Sequence, residues 1–299
     1  MGVVLSTQGL TRRYGARLAV DGLNLEIGEG DLFGLLGLNG AGKTTTMRMI
    51  LQLIRPTSGR VFIFGKDPTV AFRECMSQVG SLVEQPAYYP YLSGRMNLEI
   101  VRRMSVGVPP SAVSESLDVV GLAERADDRV RTYSQGMRQR LGIAMALLAR
   151  PKLVILDEPT NGLDPRGIQQ IREKILEMNR RDGTTFLISS HLLHEIELTC
   201  TRVGILKEGR LVVQDRIDRL LAQAGHNIRL RAADATGAAA AALALPGVLA
   251  ATVQEDGSVR LTISGRDFAG LNAALVGRGV KVEEFAPVRL TLEELFLRR

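Results

Sequence analysis

Two cysteines in 299 residues, Cys75 and Cys200, are too few and too far apart for a disulfide framework, and neither stands in a metal-spaced cluster. They are expected to be reduced packing residues, which favours the cytoplasm. No block of five or six like charges occurs, although the net charge is +6. Residues 226–299 hold nine Lys/Arg and eight Asp/Glu, so most of the excess lies in the first 225 residues. A polynucleotide footprint would concentrate its charge more, and no nucleic-acid partner is expected. The N-terminal stretch Met1-Gly2-Val3-Val4-Leu5-Ser6 lacks a basic region followed by an apolar run, so no secretion signal is expected. The one uncharged segment of membrane length, Ala235 to Gln254, is mostly alanine and is broken by Pro246-Gly247. It has too few large apolar residues to insert and is expected to form a helix, a turn and a strand.

What is present is ordinary globular composition, 45% hydrophobic and 23% charged, in a chain long enough for one large domain and a smaller one. The most informative stretch is Gly37-Leu38-Asn39-Gly40-Ala41-Gly42-Lys43-Thr44-Thr45. An apolar run, Leu32 to Leu36, precedes it, and a helical pattern through Met47, Ile50, Leu51 and Ile54 follows. Strand, glycine-rich loop and helix form the context of a phosphate loop. Its glycines let successive N–H groups turn toward phosphate oxygens, with the positive end of the helix behind them. Lys43 would reach the β- and γ-phosphates, and the Thr44 hydroxyl would sit on Mg²⁺.

Downstream, Leu153-Val154-Ile155-Leu156 reads as a central strand covered on both faces, ending in Asp157-Glu158. Carboxylates at that end of an α/β sheet stand where such sheets bind ligands. Alternating side chains would point them apart, Asp157 toward Mg²⁺ through water and Glu158 toward the water that attacks the γ-phosphate. Three further features admit two readings each. Tyr14 is an adenine-stacking ring or a half-buried surface residue. Ser134 and Gly136, opening a helix expected at Leu141 to Leu148, form a plain cap or an anion-binding end. His191, after the strand Thr185 to Ser190, is an ordinary strand-end histidine or a donor to the γ-phosphate.

In this order the motifs resemble the ATP-binding subunit of an ABC transporter, over residues 1 to about 222. The loop matches at Gly37, Asn39, Gly40, Gly42, Lys43 and Thr44, with Leu38 where proline is commoner. The family's Leu-Ser-Gly-Gly-Gln signature is similar to Tyr133-Ser134-Gln135-Gly136-Met137, and its D-loop to Gly162-Leu163-Asp164. The resemblance implies Asp157 as the Walker acid, Glu158 as the catalytic glutamate, His191 as the switch histidine and Tyr14 as the adenine-stacking aromatic. It implies ATP and Mg²⁺ as cofactors. It also implies a head-to-tail dimer in which the loop of one subunit and Ser134, Gln135 and Gly136 of the other enclose ATP. With no spanning segment expected, a separate permease is required, which places the chain at the cytoplasmic face of a bacterial membrane.

The implied fold is α/β, a P-loop ATPase domain over 1–225 with a parallel-sheet core, an antiparallel β subdomain and a helical insert at about 93–140. A small C-terminal α+β domain, 226–299, would follow. That unit and the stretch Glu84 to Gly94 look like those of bacterial drug, bacitracin and lantibiotic exporters. The soluble relatives that act on DNA or ribosomes carry a long coiled coil or two ATPase halves, and neither arrangement is present. A sugar-importer subunit is disfavoured by the short tail. Where the family has a Mg²⁺-sensing glutamine, six residues before Pro90, this chain has Glu84 with Gln85 beside it. Only one of the two can face the metal; Glu84 is preferred as a hard-oxygen ligand.

Overall fold

The computed structural model describes residues 2–84, 87–223, 226–265, 267–288 and 292. The chain divides into two units, residues 1–216 and 217–299. The first opens with the strands β1 (Val3–Tyr14), β2 (Arg17–Leu23), β3 (Glu26–Gly28) and β4 (Leu32–Leu36), then α1 (Lys43–Ile50) and β5 (Ser58–Ile63). It continues through α2 (Phe72–Met76), β6 (Val79–Leu82), α3 (Gly94–Met104), α4 (Ser111–Val119) and α5 (Gln135–Leu147). Its last elements are β7 (Leu153–Asp157), α6 (Pro165–Asp182), β8 (Thr185–Ser190), α7 (Leu193–Thr199), β9 (Arg202–Lys207) and β10 (Arg210–Arg216).

Every residue of β4, β7 and β8 is buried, as expected of apolar runs with both faces covered. These strands form the middle of a six-stranded sheet of order β10-β9-β4-β8-β7-β6, all parallel except β10, which returns from β9 as a hairpin. Register aligns Leu36 with Ser190 and Asp157 with Ser189, so three strands from distant parts of the sequence end side by side. Ligands of open α/β sheets bind at such carboxyl ends.

Around this core, β1 pairs antiparallel with β2, β3 and β5. The sequence predicts short strands here; β1 is instead one strand of 12 residues. Irregularities around Leu10 to Arg12 let it serve β2 with one part and β3 with another. The helix expected from Leu141 begins at Gln135, because the Ser134 hydroxyl accepts the Met137 N–H and caps it. Such a cap contributes about 1 kcal/mol.

The second unit comprises α8 (Ile217–Gln223), β11 (His226–Ala232), α9 (Ala235–Leu243), β12 (Val248–Val253), β13 (Val259–Ile263), α10 (Phe268–Gly277) and β14 (Val282–Val288). Its antiparallel sheet has the order β12-β13-β11-β14. The alternation in β13 buries Val259, Leu261 and Ile263 against Ala238, Ala242 and Leu275 of the helices. The Ala235 to Gln254 segment is a helix, a turn with Gly247 at φ +85°, and a strand. The sequence predicts a strand around Val280-Lys281-Val282; β14 starts at the last of these, since α10 runs on to Gly277 and Val280 is tied back to Leu275. The stretch Leu292 to Leu297, which the sequence assigns to the same α+β unit, lies, apart from Leu292, outside the described residues.

Both cysteines are buried and free, and burial pushes their thiols up from the ordinary range. They are packing residues, with little thiolate to react.

Candidate active site

The site is built on the loop between β4 and α1. Gly42 has φ +105°, and a Cβ there would stand 2.6 Å from the Ala19 carbonyl oxygen; one on Gly37 would stand 2.7 Å from that of Leu206. No side chain fits either contact, which is why the loop needs glycine at both. Helix α1 starts with no side-chain cap and no acid in its first turn, so its leading amides keep their donors for a ligand. Lys43 is 6% exposed. Its Nζ donates to the Gly37 carbonyl at 2.7 Å and lies 3.3 Å from Glu158 Oε1. The Thr44 hydroxyl donates to Asp157 Oδ2 at 2.7 Å.

Asp157 is the last residue of β7, and Glu158 takes φ +49°. Side-chain alternation therefore stops at the strand end: both carboxylates reach the loop, one at Thr44 and one at Lys43, rather than pointing apart. A left-handed backbone is strained for glutamate by about 1 kcal/mol or more and persists only when its surroundings hold it. Here the Glu158 N–H donates to Ser189 Oγ at 3.0 Å, and Gln139 Nε2 donates to the Glu158 and Pro159 carbonyls at 3.3 and 3.2 Å. The Ser189 hydroxyl in turn donates to Asp157 Oδ1. His191 Nδ1 lies 2.8 Å from Glu158 Oε2. Lys43, Glu158 and His191 thus form one chain of contacts across the ends of three strands.

A cavity of about 390 Å³ is lined by Leu38 to Gly40, Gly42 to Thr45, Glu158, Tyr14, Arg17 and Ala19. The Tyr14 ring is 43% exposed, and the Arg12 guanidinium stacks over it, 4.5 Å from its centroid. Arg12 is itself anchored by donating to the Arg55 carbonyl at 2.7 Å.

The structure thus gathers Tyr14, Asn39, Gly40, Gly42, Lys43, Thr44, Thr45 and Glu158 around one cavity, with Asp157 bonded to Thr44 and His191 in contact with Glu158. Ser134, Gln135 and Gly136 are not part of that lining; Ser134 caps α5 and the other two begin it, with Gly136 close against Gly162 of the β7–α6 loop. Asp164 of that loop caps α6 through the Gly167 N–H. Glu84 has φ +68°, and its carboxylate pairs with Arg48 of α1. Gln85 lies outside the described residues. Sequence reasoning missed Ser189, Gln139, Arg12 and Arg17. Ser189 left a signal, a polar residue ending an otherwise apolar buried strand; the other three are ordinary until their neighbours are known.

Fold and loop define a nucleoside-triphosphatase of the phosphate-loop class. A family model described as ABC transporter matches residues 20–161. The chain is 38% identical over its whole length to the bacitracin transport ATP-binding protein BcrA of Bacillus licheniformis, covering 97% of that protein. It is 40% identical over 72% of its length to the lantibiotic transport ATP-binding protein SrtF of Streptococcus pyogenes, of which it covers 92%. Among solved structures, the dimeric structure of a bacterial ABC transporter cassette is similar, with a TM-score of 0.65 and 25% identity over 71% of this chain and 98% of that one. The chain belongs to the ABC transporter ATP-binding proteins. Membership carries ATP binding and hydrolysis, dimer formation and partnership with transmembrane permease subunits. Among the described residues no helix is long and apolar enough to cross a membrane.

Proposed function

We propose that this chain is the Mg²⁺-dependent ATPase that powers an exporter of a peptide antibiotic, drug or lipid-like substrate, working at the cytoplasmic face of a bacterial membrane through a separate permease. The observation that carries the reading is the convergence of Lys43, Glu158 and His191 with the Thr44–Asp157 pair at one loop. Glu158 takes a proton from the attacking water, and His191 holds Glu158 and meets the γ-phosphate. Tyr14 stacks on adenine with the face not covered by Arg12. Thr44 and Asp157 place two hard oxygens together, one of them backed by Ser189, which suits a small dication that takes its other ligands from phosphate and water. Mg²⁺ bound there would neutralise charge on the phosphates; these two residues would hold it.

Ser134, Gln135 and Gly136 stand outside the cavity of their own chain. A head-to-tail dimer, in which they close the partner's loop, gives them a ligand and excludes water from the reaction. The cargo class is proposed from the likeness to the bacitracin and lantibiotic transport proteins. Purification of the tagged protein from membranes should bring a polytopic partner with it; recovery with nucleic acid or ribosomes would overturn the transport assignment.

The domain after Gly225 is proposed to stabilise the dimer or regulate it, since every nucleotide-contacting group lies earlier. Residues 1–225 alone should fold and bind ADP with nearly unchanged affinity by titration calorimetry. A folded fragment that does not bind would show that this role or boundary is wrong.

Glu84 is proposed as the Mg²⁺ sensor, leaving Arg48 when metal and nucleotide arrive. Glu84→Gln should then raise the Mg²⁺ concentration needed for half-maximal ATPase activity while changing ATP affinity little, and Gln85→Ala should shift neither. A shift confined to the Gln85 variant assigns the sensor to Gln85 instead.

A further inference from the structure

Arg17 belongs to none of the motifs, yet its surroundings give it a task. It closes the β1–β2 hairpin directly opposite Tyr14. Its side chain lines the same cavity as the glycine loop, and its Nη2 lies 3.4 Å from where a Cβ on Gly40 would stand. The one acid on its own strand, Asp21, is held by Arg210 at 2.6 Å. Among the described residues no carboxylate pairs with Arg17. The other cation of the cavity, Lys43, is already matched by Glu158 at 3.3 Å. An unneutralised guanidinium therefore lies over the loop whose glycines leave room for a ligand.

We propose that Arg17 is a phosphate-binding residue of the nucleotide site. This rests on the assignment of the cavity to ATP. Only Gly15 and Ala16 separate Tyr14 from Arg17, so the hairpin end carries a ring for the base and a guanidinium for the phosphate chain on one short, hydrogen-bonded turn. The planar fork of arginine matches phosphate oxygens with paired N–H donors, which a lysine at the same place does as a point charge only. Because the group is exposed, its contribution falls with salt, unlike that of buried Lys43.

The test uses the full chain and two probes, ADP and adenosine, with adenosine measured by competition against a fluorescent ADP analogue. Arg17→Gln should weaken ADP by about tenfold, as expected for one charge-assisted contact, and leave adenosine unchanged. ADP binding by this variant should also depend less steeply on salt, and Arg17→Lys should restore part of the loss. Unchanged ADP affinity in Arg17→Gln overturns the proposal, as does an equal loss for ADP and adenosine, which would mean that Arg17 only braces Tyr14. Unchanged ADP affinity with a weakened dimer would overturn it in favour of a contact to the second copy. Failure of the wild-type chain to bind ADP at all would instead overturn the nucleotide assignment beneath it.

Discussion

Replacing Glu158 by glutamine should lower steady-state ATP hydrolysis by roughly 10²–10⁴-fold, the usual loss when a general base is removed, while ATP still binds. The amide is isosteric, and the backbone that holds this position through Ser189 and Gln139 is untouched, so the left-handed turn should persist. What disappears is the carboxylate that lies between Lys43 Nζ at 3.3 Å and His191 Nδ1 at 2.8 Å and that can accept a proton. Without hydrolysis the closed form should accumulate. Size-exclusion chromatography with ATP should show a dimer for the variant under conditions where the wild type returns to monomer. Turnover within a few-fold of wild type would show that Glu158 is not the base and that Asp157 or another group takes the proton.

Lys43→Ala should abolish tight ATP binding, with an affinity loss of about a hundredfold. Before ligand arrives, the lysine is held by the Gly37 carbonyl and by Glu158, within the loop and nearly free of solvent. That preorganised cation has little ordering left to lose when it meets the β- and γ-phosphates, and a hydrogen bond to a charged group in such a site is worth about 1.5–3 kcal/mol. Loss of the charge also leaves Glu158 facing the triphosphate without its counter-ion, which adds repulsion. The fold should tolerate the change better than the ligand does, because Glu158 retains His191. Calorimetric titration gives the affinity, and a melting curve gives the stability. An affinity within tenfold of wild type, in a protein that melts normally, would show that Lys43 does not carry the phosphates.

The motifs were legible because each is local: a phosphate loop is defined by nine consecutive residues between an apolar run and a helical pattern. The central strands were equally plain, since strands covered on both faces must be apolar throughout. Local pattern failed where a distant partner decides the backbone. Alternation predicted that Asp157 and Glu158 diverge; a positive φ held by Ser189, 31 residues away, brings both to the loop. The first strand was expected in short pieces because glycine interrupts it, yet ladder bonds to β2, β3 and β5 keep it extended. Ser134 is legible as a cap, but the apolar pattern marks the helix only from Leu141, because the largely polar stretch Gln135 to Arg140 gives little periodic signal; the Met137 N–H on the Ser134 hydroxyl sets the start of α5 at Gln135.

The chemistry is written in short stretches of the chain: a glycine loop for phosphate, a lysine and a threonine beside it, two acids at a strand end, and membership in a class of ATPases. Those follow from residue types at fixed short spacings, because backbone amides, hydroxyls and carboxylates act through what they are. Which of them meet depends on the fold. The order β4-β8-β7 is a property of strand pairing across more than a hundred residues, and it sets Lys43 against Glu158 and Thr44 against Asp157. No short-range pattern encodes those pairings, since they depend on how buried strands from distant segments align to satisfy their backbone hydrogen bonds.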